Sequence, residues 1–414
     1  MSVNPIAIAI PIFMVLIIIE WLVANRRRLR VYRFADAITD LSCGVSSQIT
    51  GVFLHAALVA PYWWIYDNAR FMTLDSTWWG THLIALFVLD FAYYWWHRWT
   101  HEMNLGWMSH VVHHQSEEYN LAVALRQSIT SPISIWPFYI PMAFLGIHPL
   151  VYVGHSALNT LYQFWIHTET IGKLGPIGWV FNTPSHHRVH HGINPTYIDK
   201  NYAGVFILWD KLFGTFEPEA EEVVYGTVKP LASYNVFWAN LWYAALLFKD
   251  FRAATSLRDK FKVWFAHPGW RPEGLPAYPK PEPISREEQR KYDPKVSPKT
   301  ALYVGLQFIP VSVALVVFLW FDSTATWSIL GAVAGPILMA NLAWGGLFER
   351  KSWALPLEVT RLLVSGALLA GACWAFQAPL VPCLLAILAT LVGSLVALTH
   401  LAKTDLRIEA SPAA

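Results

Sequence analysis

Long apolar runs separated by short polar segments dominate the first part of the chain. Runs near 5–24, 44–66 and 81–96 approach the ~20 residues that cross a bilayer as a helix. Two more runs, 130–147 and 149–166, are separated by one residue and predict a helical hairpin that either spans the membrane or re-enters it. The pattern therefore predicts helices, several of them within a membrane.

The rest of the chain changes character twice. Residues 232–266 are aromatic-rich and broken by charges, which favours a segment at the membrane surface. Residues 267–299 are rich in proline and charge, as is typical of a linker. Four further spans follow, near 301–321, 326–346, 356–376 and 380–402. We expect three parts: a membrane domain over 1–266, a cytosolic linker over 267–299 and a C-terminal four-helix membrane region over 300–414.

Basic residues predict which side of the membrane each connection faces. The first run is followed by NRRRLR at 25–30, and such clusters remain in the cytoplasm. The loop at 67–80 has Arg70 as its single basic residue, which suits the outer side. The chain then returns, so the segments that follow residues 96 and 166 are both predicted to lie on the cytoplasmic face.

Composition supports a polytopic membrane protein. Hydrophobic residues make up 55% of the 414 positions and charged residues only 14%, against about a quarter in soluble proteins. A net charge of +2 argues against a nucleic-acid partner. Cys43, Cys373 and Cys383 lie far apart and form no CxxC pair, so we expect buried thiols.

Histidine is the residue type that points to chemistry. Sixteen histidines are present, and eight of them fall into three short boxes, HRWTH, HVVHH and HRVHH. They are His97 and His101, then His110, His113 and His114, then His187, His190 and His191. On a helix, positions i, i+3 and i+4 share one face, so each box can direct two or three imidazoles to one point. Eight neutral nitrogen donors exceed what one ion takes but suit two ions with open positions.

The ligands alone do not identify the metal, because imidazole binds zinc, copper, iron and nickel alike. The HEXXH motif of zinc proteases is absent from the sequence. An all-histidine site would be more positively charged than the carboxylate-rich sites of soluble di-iron bundles. Such a charge favours anions derived from dioxygen, which points towards oxygen chemistry. The fold we expect is all-α, a polytopic membrane helical bundle with a cytosolic histidine-rich cap for two metals.

In this order, the boxes resemble those of the membrane fatty acid hydroxylase and sterol desaturase superfamily. The similarity covers about residues 85–226 and is greatest to the alkylglycerol monooxygenase family, with YNLAVALRQS and LYQFWIHTE as its more selective stretches. The resemblance implies that residues 1–266 are catalytic and that the eight box histidines hold two irons. It adds His167, in WIHTE, as a further ligand.

Other residues near the boxes receive supporting roles. Glu102 directly follows box one, and a carboxylate there could orient a ligating imidazole, so we expect a catalytic role; a surface carboxylate is the alternative. On a helix, His186 points about 100° away from the face of box three, which favours a supporting or surface position. Asp210 also matches the superfamily and is expected to be structural. Weaker candidates for shaping the site are Asn182, Arg188, Asn201 and Tyr202.

The resemblance implies an oxygen-dependent di-iron oxidoreductase acting on a membrane lipid. Oxygen inserted beside an ether oxygen would make a hemiacetal that releases a fatty aldehyde. Electrons must come from an external donor, because no GxGxxG motif follows a strand and HPGW at 267–270 lacks the last glycine of a cytochrome b5 HPGG. The resemblance implies tetrahydrobiopterin as the reductant. The short loops are compatible with either a bacterial inner membrane or an ER-like membrane.

Two alternatives remain open from the sequence. A sterol desaturase, or a sterol or fatty acid hydroxylase, would use the same di-iron site with a different lipid pocket. A non-catalytic metal transporter or sensor would only bind ions. Transporters place their ligands near the bilayer midplane, often between inverted repeats. Here the boxes lie in polar, charged sequence and no repeat is visible, which favours the enzyme.

Overall fold

The computed structural model describes residues 4–404, and that part of the chain is helical, with two isolated β-bridges and no strand. The predicted all-α class is confirmed. Residues 1–3, at the start of the predicted domain 1–266, lie outside the described residues. So do residues 405–414, at the end of the predicted domain 300–414. The α-helices are α1 Pro5–Arg26, α2 Phe34–Ala69, α3 Trp79–Glu102, α4 Asn104–His114, α5 Leu121–Ala124, α6 Ser131–Phe144, α7 Pro149–Trp165, α8 Pro184–His190, α9 Leu208–Phe213, α10 Val236–Ala253, α11 Leu257–Phe265, α12 Pro298–Trp320, α13 Trp327–Phe348, α14 Ala354–Ala375 and α15 Leu380–Thr404. A 3₁₀ helix covers Gly175–Trp179.

Several of these helices can cross a membrane. Within the described residues, α1, α12, α13, α14 and α15 are long and apolar enough, and the broken helix α2 would make a sixth span. The protein is therefore an integral, multi-pass membrane protein. The predicted span at 81–96 lies within α3, which does not meet this test and continues into the polar box one. With 14 and 17 residues, α6 and α7 are shorter than the ~20 that a span requires.

The described residues form two compact units. The smaller unit contains 4–12, 233–237 and 292–404, and within it α12, α13, α14 and α15 pack against one another. A buried ion pair joins Arg361 to Glu358 inside this bundle, and Gln307 accepts a further hydrogen bond from the guanidinium. Buried charge among spanning helices is expensive unless it is paired. Both charges lie on α14, and the hydrogen bonds from Tyr303 to Glu358 and from Arg361 to Gln307 attach that helix to α12.

The larger unit contains 13–232 and 238–291 and carries all three boxes. Its apolar core lies between α2, α3, α6 and α7 and includes Tyr62, Leu89, Tyr139 and Met142. Box one lies at the end of α3, box two lies on the short helix α4, and box three lies on and directly after the short helix α8. Gly214, with φ +75, ends α9 in the left-handed conformation that glycine adopts without strain.

Candidate metal centre

Box one and box two lie on consecutive helices. His97 and His101 are one turn apart near the end of α3, and α4 begins two residues after it. On α4, His110 and His114 are likewise one turn apart and direct their rings towards box one, with ring centroids of His110 and His97 separated by 4.6 Å. His113 lies on a different side of α4 and faces the rest of the site.

The other four histidines come from the segments after α7 and around α8. His167 lies two residues beyond the end of α7. Box three lies on α8, which starts with a proline in its first turn, where a missing N–H costs nothing. His187 and His190 are on α8, and His191 directly follows it.

All nine predicted ligands converge into two groups. The first group consists of His97, His101, His110, His114 and His190; the second consists of His113, His167, His187 and His191. One ring nitrogen from each member lies within 4.8 Å of those of the other members of its group. Each group therefore draws on more than one box, which helical spacing alone does not specify. That the nitrogens bind metal stays a prediction.

Burial favours the neutral form of most of these imidazoles. All nine are buried, with 1 to 7% of each side chain exposed. Desolvation lowers the pKa of the box-two histidines, His167 and the box-three histidines, and for His113 the pKa falls to about 4. Neighbouring imidazoles lower these pKa values further. The site therefore presents unprotonated nitrogens at neutral pH.

Hydrogen bonds to carbonyls fix which nitrogen of each ring carries the proton. His113 Nδ1 donates to Arg126 O at 3.0 Å, and His167 Nδ1 donates to Gln163 O at 2.7 Å. Because a carbonyl can only accept, Nε2 of both neutral rings carries a lone pair. These two Nε2 atoms lie 3.1 Å apart. Two facing lone pairs repel unless a cation lies between them, so this geometry is compatible with a metal ion held by both rings.

A single loop orients three of the five imidazoles in the first group. Tyr202 O accepts from His97 Nδ1 at 2.7 Å, and Lys200 O accepts from His190 Nδ1 at 2.9 Å. An oxygen of Asp199 lies 3.8 Å from His101 Nδ1. Partners of this kind set the tautomer and direction of a ligating imidazole. Residues 199–202 thus act as the outer support of the first group.

This loop is held in an unusual backbone conformation. Asp199 and Asn201 have φ of +59 and +56, in the left-handed region that residues with a Cβ seldom adopt. Buried Asp210 fixes the end of the loop, accepting from the backbone N–H groups of Tyr202 at 2.7 Å and Ala203 at 2.9 Å. Desolvation raises the pKa of Asp210 to about 6. A strained backbone of this kind is kept in place by the contacts around it, and it is found most often at functional sites.

Asp199 also connects the first group to the molecular surface. Its second oxygen accepts from Nε2 of His267 at 2.9 Å, and about half of the His267 side chain is exposed. Burial raises the pKa of Asp199, but the neighbouring His101 imidazole and the hydrogen bond from His267 outweigh it and hold the pKa below the usual range. The hydrogen bond to Asp199 in turn raises the pKa of His267. Asp199 therefore remains ionised beside His101.

The second group has a different support. Arg126, whose carbonyl orients His113, is 2% exposed. Its guanidinium donates to Asp40 at 2.9 Å and to the carbonyl of Val112 at 2.7 Å. The carbonyl of Val112 belongs to α4, immediately before His113. Arg126 therefore fixes both the helix that carries His113 and the partner of its ring.

A phenol without a partner lies beside the first group. Tyr202 is fully buried, and within the described part of the chain its hydroxyl makes no hydrogen bond. Its ring centroid is 5.4 Å from that of His101 and 6.0 Å from that of His97. A buried hydroxyl without a protein partner is costly, and a water molecule or a small ligand at this position would satisfy it.

The structure places the other sequence candidates farther from the chemistry. Glu102 is 41% exposed and accepts a hydrogen bond from Arg98 at 2.9 Å. Among the described residues it makes no hydrogen bond with a histidine. His186 belongs to neither group and lies near the ring of Phe216. Arg188 pairs with Glu219. Asn182 donates to Ala203 O at 2.6 Å, behind the supporting loop.

Sequence reasoning missed Asp199 and His267. The stretch YIDKNY carries no motif that marks Asp199, and His267 lies in HPGW, outside the three boxes. Neither follows a spacing rule, since 98 and 166 positions separate them from His101 along the chain. Their part in the site depends on tertiary contacts.

The residues present fit two metal ions. Among the residues described, the first group retains unpartnered buried nitrogens on His101, His110 and His190, and the second group retains them on His187 and His191. Neutral imidazoles are good ligands for iron, and two groups of nitrogens leave room for exogenous ligands. The donor set is thus suited to iron, although imidazole alone does not choose between metals.

Comparisons with known proteins agree with this site. A family model for fatty acid hydroxylases matches residues 82–215. The chain is 40% identical to an alkylglycerol monooxygenase of Xenopus tropicalis over 358 residues, which is 85% of this chain and 79% of the relative. It is 39% identical to an alkylglycerol monooxygenase of Danio rerio over 367 residues, 86% of this chain and 80% of the relative.

A more distant relative is a Delta(7)-sterol 5(6)-desaturase, erg31, of Schizosaccharomyces pombe. It is 29% identical over 196 residues, which is 45% of this chain and 60% of the relative. No solved structure matches the chain.

Proposed function

The chain belongs to the alkylglycerol monooxygenase family, and from this premise we propose that it is an oxygen-dependent monooxygenase of ether lipids. The C–H bond beside the ether oxygen gains one atom of dioxygen, and the second atom leaves as water with two electrons and two protons from a donor. The hemiacetal formed then collapses to a fatty aldehyde and a free glycerol hydroxyl. The length of the shared sequence supports this reaction over others in the superfamily.

The metal centre in this proposal consists of two irons. His97, His101, His110, His114 and His190 hold one, and His113, His167, His187 and His191 hold the other. Bound iron would supply the activation of dioxygen. One observation carries the assignment: the Nε2 lone pairs of His113 and His167 face each other at 3.1 Å in a buried site.

The chain's own residues have three tasks. Burial of the nine imidazoles excludes bulk water from the reacting centre. Residues 199–202 and Arg126 keep the ligating nitrogens directed inward. The unpartnered hydroxyl of Tyr202 is available to donate a hydrogen bond to a small ligand at the first group. Glu102 stays a candidate for a catalytic role at the rim, where Arg98 orients it.

The donor and the location complete the proposal. Electrons come from an external donor, and tetrahydrobiopterin is the reductant that the family suggests. Arg26 ends α1, and Arg27, Arg28 and Arg30 follow it, which favours a cytoplasmic location for that end of the helix. In this proposal α2 and α3 both cross the membrane, so the histidines at the end of α3 return to the cytoplasmic side of a bacterial inner membrane or an ER-like one. Residues 1–266 act as the catalytic domain, 267–299 as the linker and 300–414 as a separate membrane region.

A sterol desaturase or hydroxylase reaction is the second candidate, favoured by the 29% identity to erg31. Oxygen consumption by purified protein in nanodiscs separates the candidates when an alkylglycerol, a sterol or neither is supplied, with and without reduced pterin. We expect oxygen uptake and fatty aldehyde with the alkylglycerol, and neither with His190→Ala. Product from the sterol alone would support the second candidate. Tightly held zinc without oxygen uptake would favour a transporter or sensor.

A further inference from the structure

Helix α11, Leu257–Phe265, presents an apolar stripe to the outside of the larger unit. Ser256 caps its first turn by accepting from the N–H of Asp259 at 3.0 Å. Leu257, Phe261 and Phe265 are 85, 66 and 44% exposed. At about 100° per residue, these three positions lie within about 80° of one another around the helix axis. Their shared side has no protein covering it among the described residues.

The opposite side of α11 is attached to the protein. Val263 is buried with 1% exposure, and it lies about 160° from the centre of the stripe. Val263 O accepts from Asn104 Nδ2 and Ala266 O accepts from Asn104 N, both at 2.9 Å. Asn104 is the first residue of α4, the helix of box two. The attachment fixes the orientation of α11, so the apolar stripe points away from the unit.

Cations lie along both edges of the stripe. Arg258 and Lys262 follow one edge and Lys260 follows the other, while Asp259 is near the attached side. Lys262 lies 4.7 Å from the ring centroid of Trp270. Two more exposed cations, Lys249 and Arg252, end α10 just before α11. An apolar centre with a cationic rim is the pattern of a helix lying in a membrane interface.

We propose that α11 docks on the surface of the bilayer and binds acidic phospholipid headgroups. Leu257, Phe261 and Phe265 enter the acyl region, and Arg258, Lys260 and Lys262 contact the anionic phosphates. The candidate spans of the chain already place the protein in a membrane, and the charge pattern of α11 is complementary to an acidic lipid surface. This proposal does not depend on the reaction proposed above.

Docking would connect lipid composition to the candidate metal centre. The segment after α11 continues to His267, which donates to Asp199, and Asp199 lies beside His101. The start of α4 is bound by the end of α11 through Asn104. The depth of α11 therefore sets how far the first histidine group lies from the bilayer surface.

Spin-label accessibility tests the docking directly. The full-length protein carries Phe261→Cys in a Cys373→Ala/Cys383→Ala background, is labelled and is reconstituted in nanodiscs of phosphatidylcholine and phosphatidylglycerol. We expect the label to be relaxed by oxygen more than by a water-soluble nickel chelate. The control is Glu222→Cys, whose native side chain is 65% exposed, and there the nickel chelate should dominate. Equal nickel accessibility at both positions would overturn the docking.

The role of the cations is tested in the same samples. Adding phosphatidylglycerol to phosphatidylcholine should reduce nickel accessibility at position 261, by up to roughly fivefold for each cation involved. In the Arg258→Gln/Lys260→Gln/Lys262→Gln variant this dependence on acidic lipid should disappear, while thermal stability stays that of the parent. If the parent shows no lipid dependence, the headgroup assignment is wrong. Protection that appears only when a soluble electron-donor protein is added would assign the stripe to that protein and also overturn the proposal.

Discussion

Asp199 has one carboxylate oxygen 3.8 Å from His101 Nδ1, and its other oxygen accepts a hydrogen bond from His267 Nε2 at 2.9 Å. It is a carboxylate partner of a first-group imidazole, whereas His113 and His167 in the second group donate to backbone carbonyls. A carboxylate makes its imidazole a stronger donor to a metal than a carbonyl does. The two predicted metal positions are therefore chemically inequivalent.

Asp199→Asn should weaken the first position selectively. The amide carries no charge to support His101, so we expect metal affinity there to fall about 10- to 100-fold and iron to drop from about two to about one per chain. Elemental analysis of the purified variant measures this, and cobalt spectra report the geometry of the position that remains. Glu102→Gln is the matched control and should keep both irons, because Glu102 contacts Arg98. Equal loss in both variants would contradict a specific role for Asp199.

Tyr202→Phe should leave the metal content unchanged and weaken the binding of small anions. The hydroxyl has no partner in the described structure, and the rest of the ring is retained in the variant. Loss of one hydrogen bond to a charged ligand corresponds to about tenfold weaker binding. Azide titration of the iron-loaded protein, followed by absorbance, gives the affinity. Unchanged azide affinity would show that the phenol does not reach the exogenous ligand.

Arg126→Met should strongly destabilise the larger unit. Asp40, with no exposed surface, would lose the guanidinium that neutralises it, and an uncompensated buried charge costs about 3–5 kcal/mol. Thermal unfolding in detergent measures the loss. The double variant Arg126→Met/Asp40→Leu should recover much of the stability, because both charges are then gone. A double variant no more stable than Arg126→Met would argue that the pair is not the main contribution.

The pair of His267 and Asp199 should stabilise the fold in a pH-dependent way. The hydrogen bond to Asp199 raises the pKa of His267 above its usual value of about 6.5. The stabilisation is thus complete below pH ~6.5 and is lost as the pH rises through the raised pKa. His267→Gln should therefore lower the melting temperature more at acidic pH than at alkaline pH. A difference that grows with pH would contradict this sign.

Spacing in the sequence located the eight box histidines because helical periodicity determines which residues share a face. It did not predict that His113 would join His167, His187 and His191 in a separate group, since helix packing decides that division. His167 was added from the family resemblance alone. Adjacency to box one suggested Glu102, but the next position on a helix turns about 100° away, and its carboxylate meets Arg98.

Hydropathy predicted the membrane class and the last four helices well. It was less successful for α3, α6 and α7, which are tied to the site. Two of these helices lead directly to candidate ligands: α3 ends in box one, and α7 ends two residues before His167. The supports of the site, Asp199 and Arg126, come from loops, where no periodic pattern exists to reveal them.

Iron stoichiometry tests the central claim most directly, that nine histidines in two groups hold two irons. The parent, His190→Ala and His191→Ala are purified from iron-supplemented cells, and iron per chain is determined together with the Mössbauer spectrum. His190 belongs to the first group and His191 to the second, so each variant removes a ligand from a different position. We predict about two irons in the parent, a marked loss in each variant and residual spectra that differ between the variants. A parent that binds fewer than one iron, or a His190→Ala variant that keeps both irons and full turnover, would contradict the account.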